Sequence, residues 1–210
     1  MHQGYLMIFQ NRAKQITTYD FSNPRSPKLI STLNEIGNGD EHSVPVSGTK
    51  VLASGMLIEY ADPFHPKLLS RWNGPLLSVF PAFEWPYLYN TRTYDTDGKS
   101  SPLTVLDYSD FVAGPKQVTS IDAVSKVGFT TGTCVAIGNL LLVSSGDVYS
   151  GVSAWDIGDP KKPELISSNK NGTGMYTAQH YGKYIMTTGR FSAVIHGFYD
   201  FSNPENIQLY

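Results

Sequence analysis

Short apolar runs of three to five residues recur along the chain, separated by segments rich in Gly, Pro, Asn and Asp. Runs such as residues 140–143 are apolar on both faces, which is the pattern of a strand buried between two layers. No segment combines a 3.6-residue apolar period with helix-capping residues, so we expect few helices. The pattern predicts an all-β protein. A glycine precedes four of the runs: Gly4, Gly48, Gly138 and Gly182.

A second element follows each of these runs: an apolar strand that ends in an acid, a turn marked by proline, and another apolar strand. The fourth copy shows it in full, because Trp155 and Asp156 end one strand, Pro160 lies in the turn, and Leu165 belongs to the next strand. Five copies are present, and their acids are Asp20, Glu59, Asp107, Asp156 and Asp200.

Together the two elements form a unit of four short strands, which we name A to D in chain order. Strand A ends at the glycine turn, B is the apolar run, C ends at the acid, and D follows the proline turn. Four strands repeating at about 37 to 53 residues predict an all-β fold, a β-propeller of four-stranded blades. A β-sandwich is the alternative, but it does not explain five copies of one turn. The predicted blades, in a single propeller region, are residues 1–34, 42–73, 76–122, 132–170 and 175–210.

The repeated turn has a local explanation. An Asn or Asp before proline caps the turn through its side chain, and the proline fixes φ at the next position. The acid at the end of strand C accepts backbone N–H bonds across the same turn. Because these residues recur in every unit, we interpret them as structural rather than catalytic.

With the repeat laid out, the chain resembles the LVIVD-repeat family of bacterial and archaeal β-propellers. Residues 135–143 and 152–160 carry the best match, with the turn at Gly138, an apolar strand, and then Asp156 before the turn at Pro160. The resemblance covers nearly the whole chain and implies the propeller fold in a secreted or cell-surface setting. It implies no particular activity. The departures are Glu59 in place of Asp and a third unit that lacks the glycine.

The two ends bear on ring closure. Aligned on Gly4, the chain starts in the last residues of a strand A, and aligned on Pro204 it stops partway through a strand D. We therefore expect about five blades and an incomplete ring, truncated at both ends.

Charge and composition narrow the classes of function. A net charge of -2 and a pI of about 6.2 give no electrostatic case for binding nucleic acid or an anionic membrane. Cys134 is the only cysteine, which excludes an internal disulfide and a multi-cysteine metal site. No stretch approaches the ~18 apolar residues of a membrane helix, so no transmembrane segment is predicted.

Candidate binding residues come from the loops that join strand B to C and strand D to the next A. In a propeller these loops surround one mouth of the central channel on a rigid scaffold. The candidates are Asp40, Glu41, His42, Arg92, Tyr94, Asp95, Asp97, Asp147, Tyr149, Tyr176 and Arg190.

Two of these loops hold chemistry that bears on cofactors. One loop contains Asp40, Glu41 and His42, whose side chains could ligate a metal or act as an acid–base pair. A solvated loop explains these residues as well. The segment from Asp95 to residue 100 opens like a calcium loop, but it lacks the third acid and the distal Glu. We predict no cofactor and no catalytic residue, with calcium as the one metal considered.

The other histidines and the cysteine are interpreted as structural. We expect His180 to be packed or bonded at a blade edge, and His65 to lie in a C–D turn on the opposite face from the candidate loops. Cys134 is expected to be a small buried apolar group.

Two functions remain open at this point. One is a non-catalytic binding or scaffold propeller that recognises a protein or glycan partner through its channel-mouth loops. The alternative is an enzyme, such as a metal-assisted hydrolase, a lyase or an oxidoreductase, with its site at the channel mouth. The second rests on analogy with other propellers.

Overall fold

A computed structural model of the chain describes residues 4–10, 15–34, 43–53, 56–72, 81–91, 102–129, 131–144, 151–170, 177–188 and 196–210. The chain divides into two compact units, Met1–Leu77 with Tyr108–Pro115, and Ser78–Asp107 with Lys116–Tyr210.

The first unit contains two antiparallel sheets, in which strands adjacent in sequence are adjacent in the sheet. Sheet I consists of β1 (Tyr5–Gln10), β2 (Gln15–Asp20) and β3 (Lys28–Asn34). Sheet II consists of β4 (Ser43–Ser47), β5 (Lys50–Ala53), β6 (Met56–Glu59) and β7 (Lys67–Arg71).

The second unit contains three four-stranded sheets of the same kind. Sheet III is β8 (Ala82–Glu84), β9 (Tyr87–Asn90), β10 (Leu103–Asp107) and β11 (Lys116–Ile121). Sheet IV is β12 (Thr133–Ile137), β13 (Leu140–Ser144), β14 (Val152–Asp156) and β15 (Glu164–Asn169). Sheet V is β16 (Thr177–Tyr181), β17 (Tyr184–Thr188), β18 (His196–Asp200) and β19 (Gln208–Leu209).

The predicted strand order A to D is confirmed in sheets II to V, and the described part of sheet I shows strands B to D. The predicted glycines between A and B adopt the left-handed conformation, for example Gly138 with φ of 56° and Gly182 with φ of 57°. In sheet III the A–B turn is instead formed by Trp85 and Pro86, joined by a cis peptide bond.

A register shift recurs where strand C pairs with strand D, one or two residues before the acid. It falls at residues 18/19, 57/58, 105/106 and 154/155 in sheets I to IV. A bulge of this kind increases local twist and bends the strand. Its recurrence at one repeat position is evidence for a structural repeat that does not depend on sequence likeness.

One helix is present in the described part of the chain, the single turn α1 (Ala123–Val127) between β11 and β12. Asp122 caps its start by accepting the Ser125 N–H, and Gly128 ends it with φ of 75°. Ala123 and Val127 face the core. The prediction of few helices holds for the described residues.

The core lies between successive sheets within each unit. In the first unit, Ile16 of sheet I packs in one cluster with Met56 and Ile58 of sheet II. In the second unit, strand β14 of sheet IV sends Trp155 into the cluster shared with sheet III and Ala154 into the cluster shared with sheet V. The alternation of side chains along a strand therefore gives sheet IV two buried faces.

Candidate functional site

The acids that end strand C fold back onto their own turns. Asp20 accepts the backbone N–H of Ser22 at 2.8 Å, and Asp156 and Asp200 accept those of Gly158 and Ser202 at the same distance. Glu59, the departure from Asp, does the same for the N–H of Ala61 at 3.0 Å. The predicted bond from the acid across the turn is confirmed in four sheets.

The residue before proline makes a second bond of the same type. Asn23, Asp62, Asp159 and Asn203 each accept the backbone N–H two residues further along, at 2.9 to 3.1 Å. Each turn therefore contains two side-chain caps in succession, which satisfy N–H groups that have no partner in a sheet.

The third turn uses a different residue. Asp110 accepts the backbone N–H groups of Val112 and Ala113, and its carbonyl accepts that of Gly114. One aspartate thus caps a turn that has no Asx–Pro step, and Gly114, with φ of 82°, ends it.

At four of these acids, Asp20, Glu59, Asp62 and Asp200, the bonds lower the pKa of the carboxyl group and so favour its charged form. The pKa of Asp20 is lowered first by the backbone bond from Ser22, and that of Asp200 first by the hydroxyl bond from Ser202. For Asp62 the bond from His65 is the largest cause of its lowered pKa. Burial raises the pKa of Glu59, but bonds from Thr49 and Lys50 outweigh it and leave the pKa lowered. Carboxylates committed in this way are structural groups rather than free acids or bases.

In sheets I, II, IV and V the C–D turn is also tied to the A–B turn of its own sheet. The N–H after the acid donates to a carbonyl of that turn, from Phe21 to Gly4 and from Ile157 to Asn139, at 2.8 Å in both cases. In sheet V, Lys183 of the A–B turn adds an ion pair with Asp200 at 3.2 Å. The two turns therefore lie at the same end of the sheet's strands and are hydrogen-bonded to each other. We call this the bonded end of the sheet.

A hydroxyl bond between sheets was not predicted from the sequence. Ser31 in strand D of sheet I donates to the carbonyl of Pro63 in the next sheet at 2.7 Å, and Ser167 of sheet IV donates to that of Pro204 at 2.6 Å. The signal was available, because a serine follows two apolar residues in strand D at Ser31, Ser70 and Ser167. The hydroxyl of Ser70 is buried and has no hydrogen-bond partner in the described structure.

Cys134 is buried as expected, and burial raises its thiol pKa to about 12. The residue lies beside the hydroxyl of Thr91, with 3.6 Å between sulfur and oxygen. His65 lies in the turn after β6, where its ring nitrogen is 2.7 Å from Asp62. His180 was predicted to be packed or bonded at a blade edge, and it is not packed, because its side chain is exposed on strand β16.

All the loop residues predicted to bind a partner lie outside the described residues. In chain order they fall in the B–C connections of sheets III to V or in the D–A connections before β4 and β16. This group consists of Asp40, Glu41, His42, Arg92, Tyr94, Asp95, Asp97, Asp147, Tyr149, Tyr176 and Arg190.

Among the residues that the structure describes, no group of three or more His, Cys, Asp and Glu side chains is placed to hold a metal ion. No helix in that same part of the chain is long and apolar enough to cross a membrane.

Three solved structures share the arrangement of the sheets. A protein of unknown function from Desulfotomaculum acetoxidans is 14% identical with a TM-score of 0.66, and the match covers 99% of this chain and 65% of that one. A proposed 6-phosphogluconolactonase from Bacteroides uniformis is 11% identical with a TM-score of 0.70, over 100% and 67%. BamB from Moraxella catarrhalis is 12% identical with a TM-score of 0.58, over 99% and 61%.

These likenesses establish the class of the fold. The chain has a β-propeller fold with about five four-stranded blades, as predicted. It spans 61% to 67% of the length of the three structures. At these identities the similarity concerns the fold alone. No family model and no curated protein matches the sequence.

Proposed function

We propose that the chain is a non-catalytic binding or scaffold propeller of the LVIVD-repeat type, which recognises a protein or glycan partner through its B–C and D–A loops. The supporting observation is that the polar side chains of the repeat are already hydrogen-bonded or buried within the protein. The turn acids accept backbone N–H groups, and Cys134 is buried with a raised pKa. Groups used in this way stabilise a frame and are not free to bind.

The topology of the sheets favours the B–C and D–A loops as the variable surface. In an antiparallel meander the A–B and C–D turns lie at one end of the strands, and the B–C connection lies at the opposite end. The first end is occupied by the hydrogen-bonded turns, as at Asp156 and Asn139. The opposite end holds the B–C and D–A connections, whose lengths and sequences vary among the blades.

Under this proposal, residues 1–210 form a single propeller region that belongs to a longer ring. The setting is extracellular or at the cell surface, as the resemblance to LVIVD-repeat proteins implies. A protein or glycan surface suits a rigid ring that presents loops, and the net charge of -2 does not favour nucleic acid.

The test compares variants of the B–C and D–A loops with a variant in a C–D turn, at the bonded end of a sheet. The wild-type chain is screened on an array of defined glycans and a panel of purified surface proteins. The binder found is then titrated with Asp40→Ala, His42→Ala, Arg92→Ala and Arg190→Ala. We expect at least one of these to weaken binding about tenfold or more. The control His65→Ala lies in a C–D turn and should leave the affinity unchanged.

Full binding by all four loop variants, or loss of binding in the His65 control, would contradict the proposal. Circular dichroism spectra that match the wild type are required of each variant, so that unfolding is not mistaken for loss of a contact.

An enzyme with a site at the channel mouth is the second candidate. One similar structure is a proposed 6-phosphogluconolactonase, which concerns that protein and supplies only a motive to look. The discriminating measurement is elemental analysis of purified protein that has not met chelators. A stoichiometric metal that disappears with Asp40→Ala and His42→Ala would favour the metal-assisted hydrolase over the binding role.

A further inference from the structure

The A–B turn of sheet III has a tryptophan where the turns of three other sheets have glycine. Gly48, Gly138 and Gly182 each lie two residues before the first residue of strand B, in sheets II, IV and V. In sheet III the same position holds Trp85, which Pro86 and strand β9 follow. The largest side chain therefore replaces the smallest at one turn of the repeat.

Core packing does not account for a tryptophan at this position. A Cβ added to Gly48, Gly138 or Gly182 would have no atom within 4 Å, so a side chain at this point of the turn extends into open space. Trp85 is accordingly 46% exposed. Its ring lies 6.0 Å from that of Phe83, tilted by 41°, and this contact restricts the orientation of the indole. A departure from the repeat that adds little to the core is expected at a functional site.

The exposure of Trp85 is a property of the turn and not of a terminal blade. Sheet III is an internal unit of the repeat, with sheet II before it and sheet IV after it in the sequence. Within the described part of the second unit, Trp85 is the only large apolar side chain that is exposed outside sheet V. A tryptophan has up to about 250 Å² of surface, so about 100 Å² of a single ring faces water here.

The size of this surface and its polar neighbour indicate the kind of ligand. A stable protein interface covers roughly 800 Å² on each partner, far more than one ring provides. A single pyranose ring matches it, because the C–H face of a sugar packs against the negative face of an aromatic π system. Glu84 precedes Trp85 and is exposed, and it has no ion-pair partner among the residues that the structure describes. Its carboxylate can accept hydrogen bonds from sugar hydroxyl groups.

We propose that the turn from Glu84 to Pro86 is a sugar-binding subsite. The indole of Trp85 stacks on the C–H face of a pyranose ring, and the Glu84 carboxylate accepts a hydrogen bond from a hydroxyl group at the edge of that ring. Chains of β-linked glucose or N-acetylglucosamine fit best, because their substituents are equatorial and leave only C–H groups on the ring faces. The turn lies at the opposite end of the strands from the B–C loop, so this inference does not rest on the proposed loop surface.

The experiment titrates the chain, isotope-labelled at its tryptophan nitrogens, with cellohexaose and with chitohexaose. The indole N–H resonances of Trp72, Trp85 and Trp155 are followed by NMR, and the Trp85 resonance is assigned by its loss in Trp85→Phe. We expect the Trp85 resonance to shift and to saturate with a dissociation constant of about 1 mM or below. The resonance of Trp155 should not shift, because that side chain is fully buried.

Variants separate the ring from the fold, and saturation-transfer NMR on the sugar protons measures them without a signal from Trp85. Trp85→Gly combined with Pro86→Asn installs the Gly–Asn turn of sheet IV, so it should fold normally and weaken binding about tenfold or more. If its circular dichroism spectrum differs from the wild type, Trp85→Ala replaces it. Glu84→Gln should weaken binding less, because the amide oxygen still accepts a bond. Phe64→Ala is the matched control, since Phe64 is a half-exposed aromatic residue in a turn of sheet II.

Three results would overturn the proposal. The first is a Trp85 resonance that does not move with either sugar up to about 10 mM, where a millimolar site is largely occupied. The second is sugar binding that the Gly–Asn variant retains or that Phe64→Ala weakens equally. The third is a shift caused by choline chloride but by neither sugar, which would make the ring a cation site. None of these outcomes bears on partner recognition by the loops, which is tested separately with the loop variants.

Discussion

Sheets IV and V are built alike and yet are buried differently. Asp156 and Asp200 accept the same N–H bond in their turns, and Gly138 and Gly182 adopt the same left-handed conformation. Sheet IV has neighbours on both faces, whereas one face of sheet V is exposed. The difference shows that the repeat specifies its strands and turns locally, while packing energy depends on the neighbouring blade.

The largest expected effect is the contrast between paired core and surface positions. Leu142→Ala should lower the free energy of unfolding by about 2–5 kcal/mol, because it leaves a cavity between sheets IV and V. Met186→Ala, at the equivalent position of sheet V, should cost less than about 1 kcal/mol, because Met186 is half-exposed. Urea denaturation of both variants measures the difference. Equal losses at the two positions would show that sheet V is covered in solution.

Turn substitutions should instead affect the two sheets equally. Gly138→Ala and Gly182→Ala each force a Cβ into the left-handed region, at a cost of about 1–2 kcal/mol. No atom approaches the added Cβ within 4 Å at either site, so no steric clash adds to the backbone strain. The same urea titration compares them. A much greater loss at Gly138 would mean that its turn depends on the packing of sheet IV and not on local geometry.

The hydroxyl bond between sheets IV and V should have a smaller effect. Ser167→Ala removes the bond to the Pro204 carbonyl and should cost about 1 kcal/mol. Ser70→Ala is the control, because its hydroxyl is buried without a partner in the described structure. We expect that variant to be neutral or slightly more stable in thermal melts. A destabilised Ser70→Ala would contradict this account of the bond.

The smallest effect concerns acid pH. Asp20, Asp62 and Asp200 have pKa values lowered in the folded protein. Their contribution to stability is therefore complete above the unfolded pKa of about 3.9, and it is lost as the pH falls through the lower folded values. The urea midpoint should decline below about pH 4, and less steeply in Asp200→Asn. A midpoint that is flat down to pH 2 would argue against these turn bonds.

Much of the fold could be predicted because its signals are local. The run at residues 140–143, the acid Asp156 and the turn at Pro160 each act within a few residues, and the structure confirms the strands and caps that they indicate. The helical turn was missed, although Asp122 and Gly128 are ordinary capping residues, because five residues give no apolar period. The serine bond was missed because it joins residues that lie in different sheets and are 32 or 37 positions apart in sequence.

The candidate site was less predictable for a physical reason. Loop residues such as Asp40 and Arg92 have no repeated pattern, so the sequence indicates only which connection they belong to. The exposure of Phe198 could not be read from its own strand either, since Ala154 occupies the same position and is fully buried. Exposure at this position depends on whether another sheet is present.

The central claim is that successive four-stranded sheets stack as blades, face against face. A crystal structure of the chain tests it most directly. We expect Leu142 and Ala154 of sheet IV to lie against Ile185 and Tyr199 of sheet V, with Ser167 bonded to the carbonyl of Pro204. Strands from different repeat units interleaved in two large facing sheets would contradict the account.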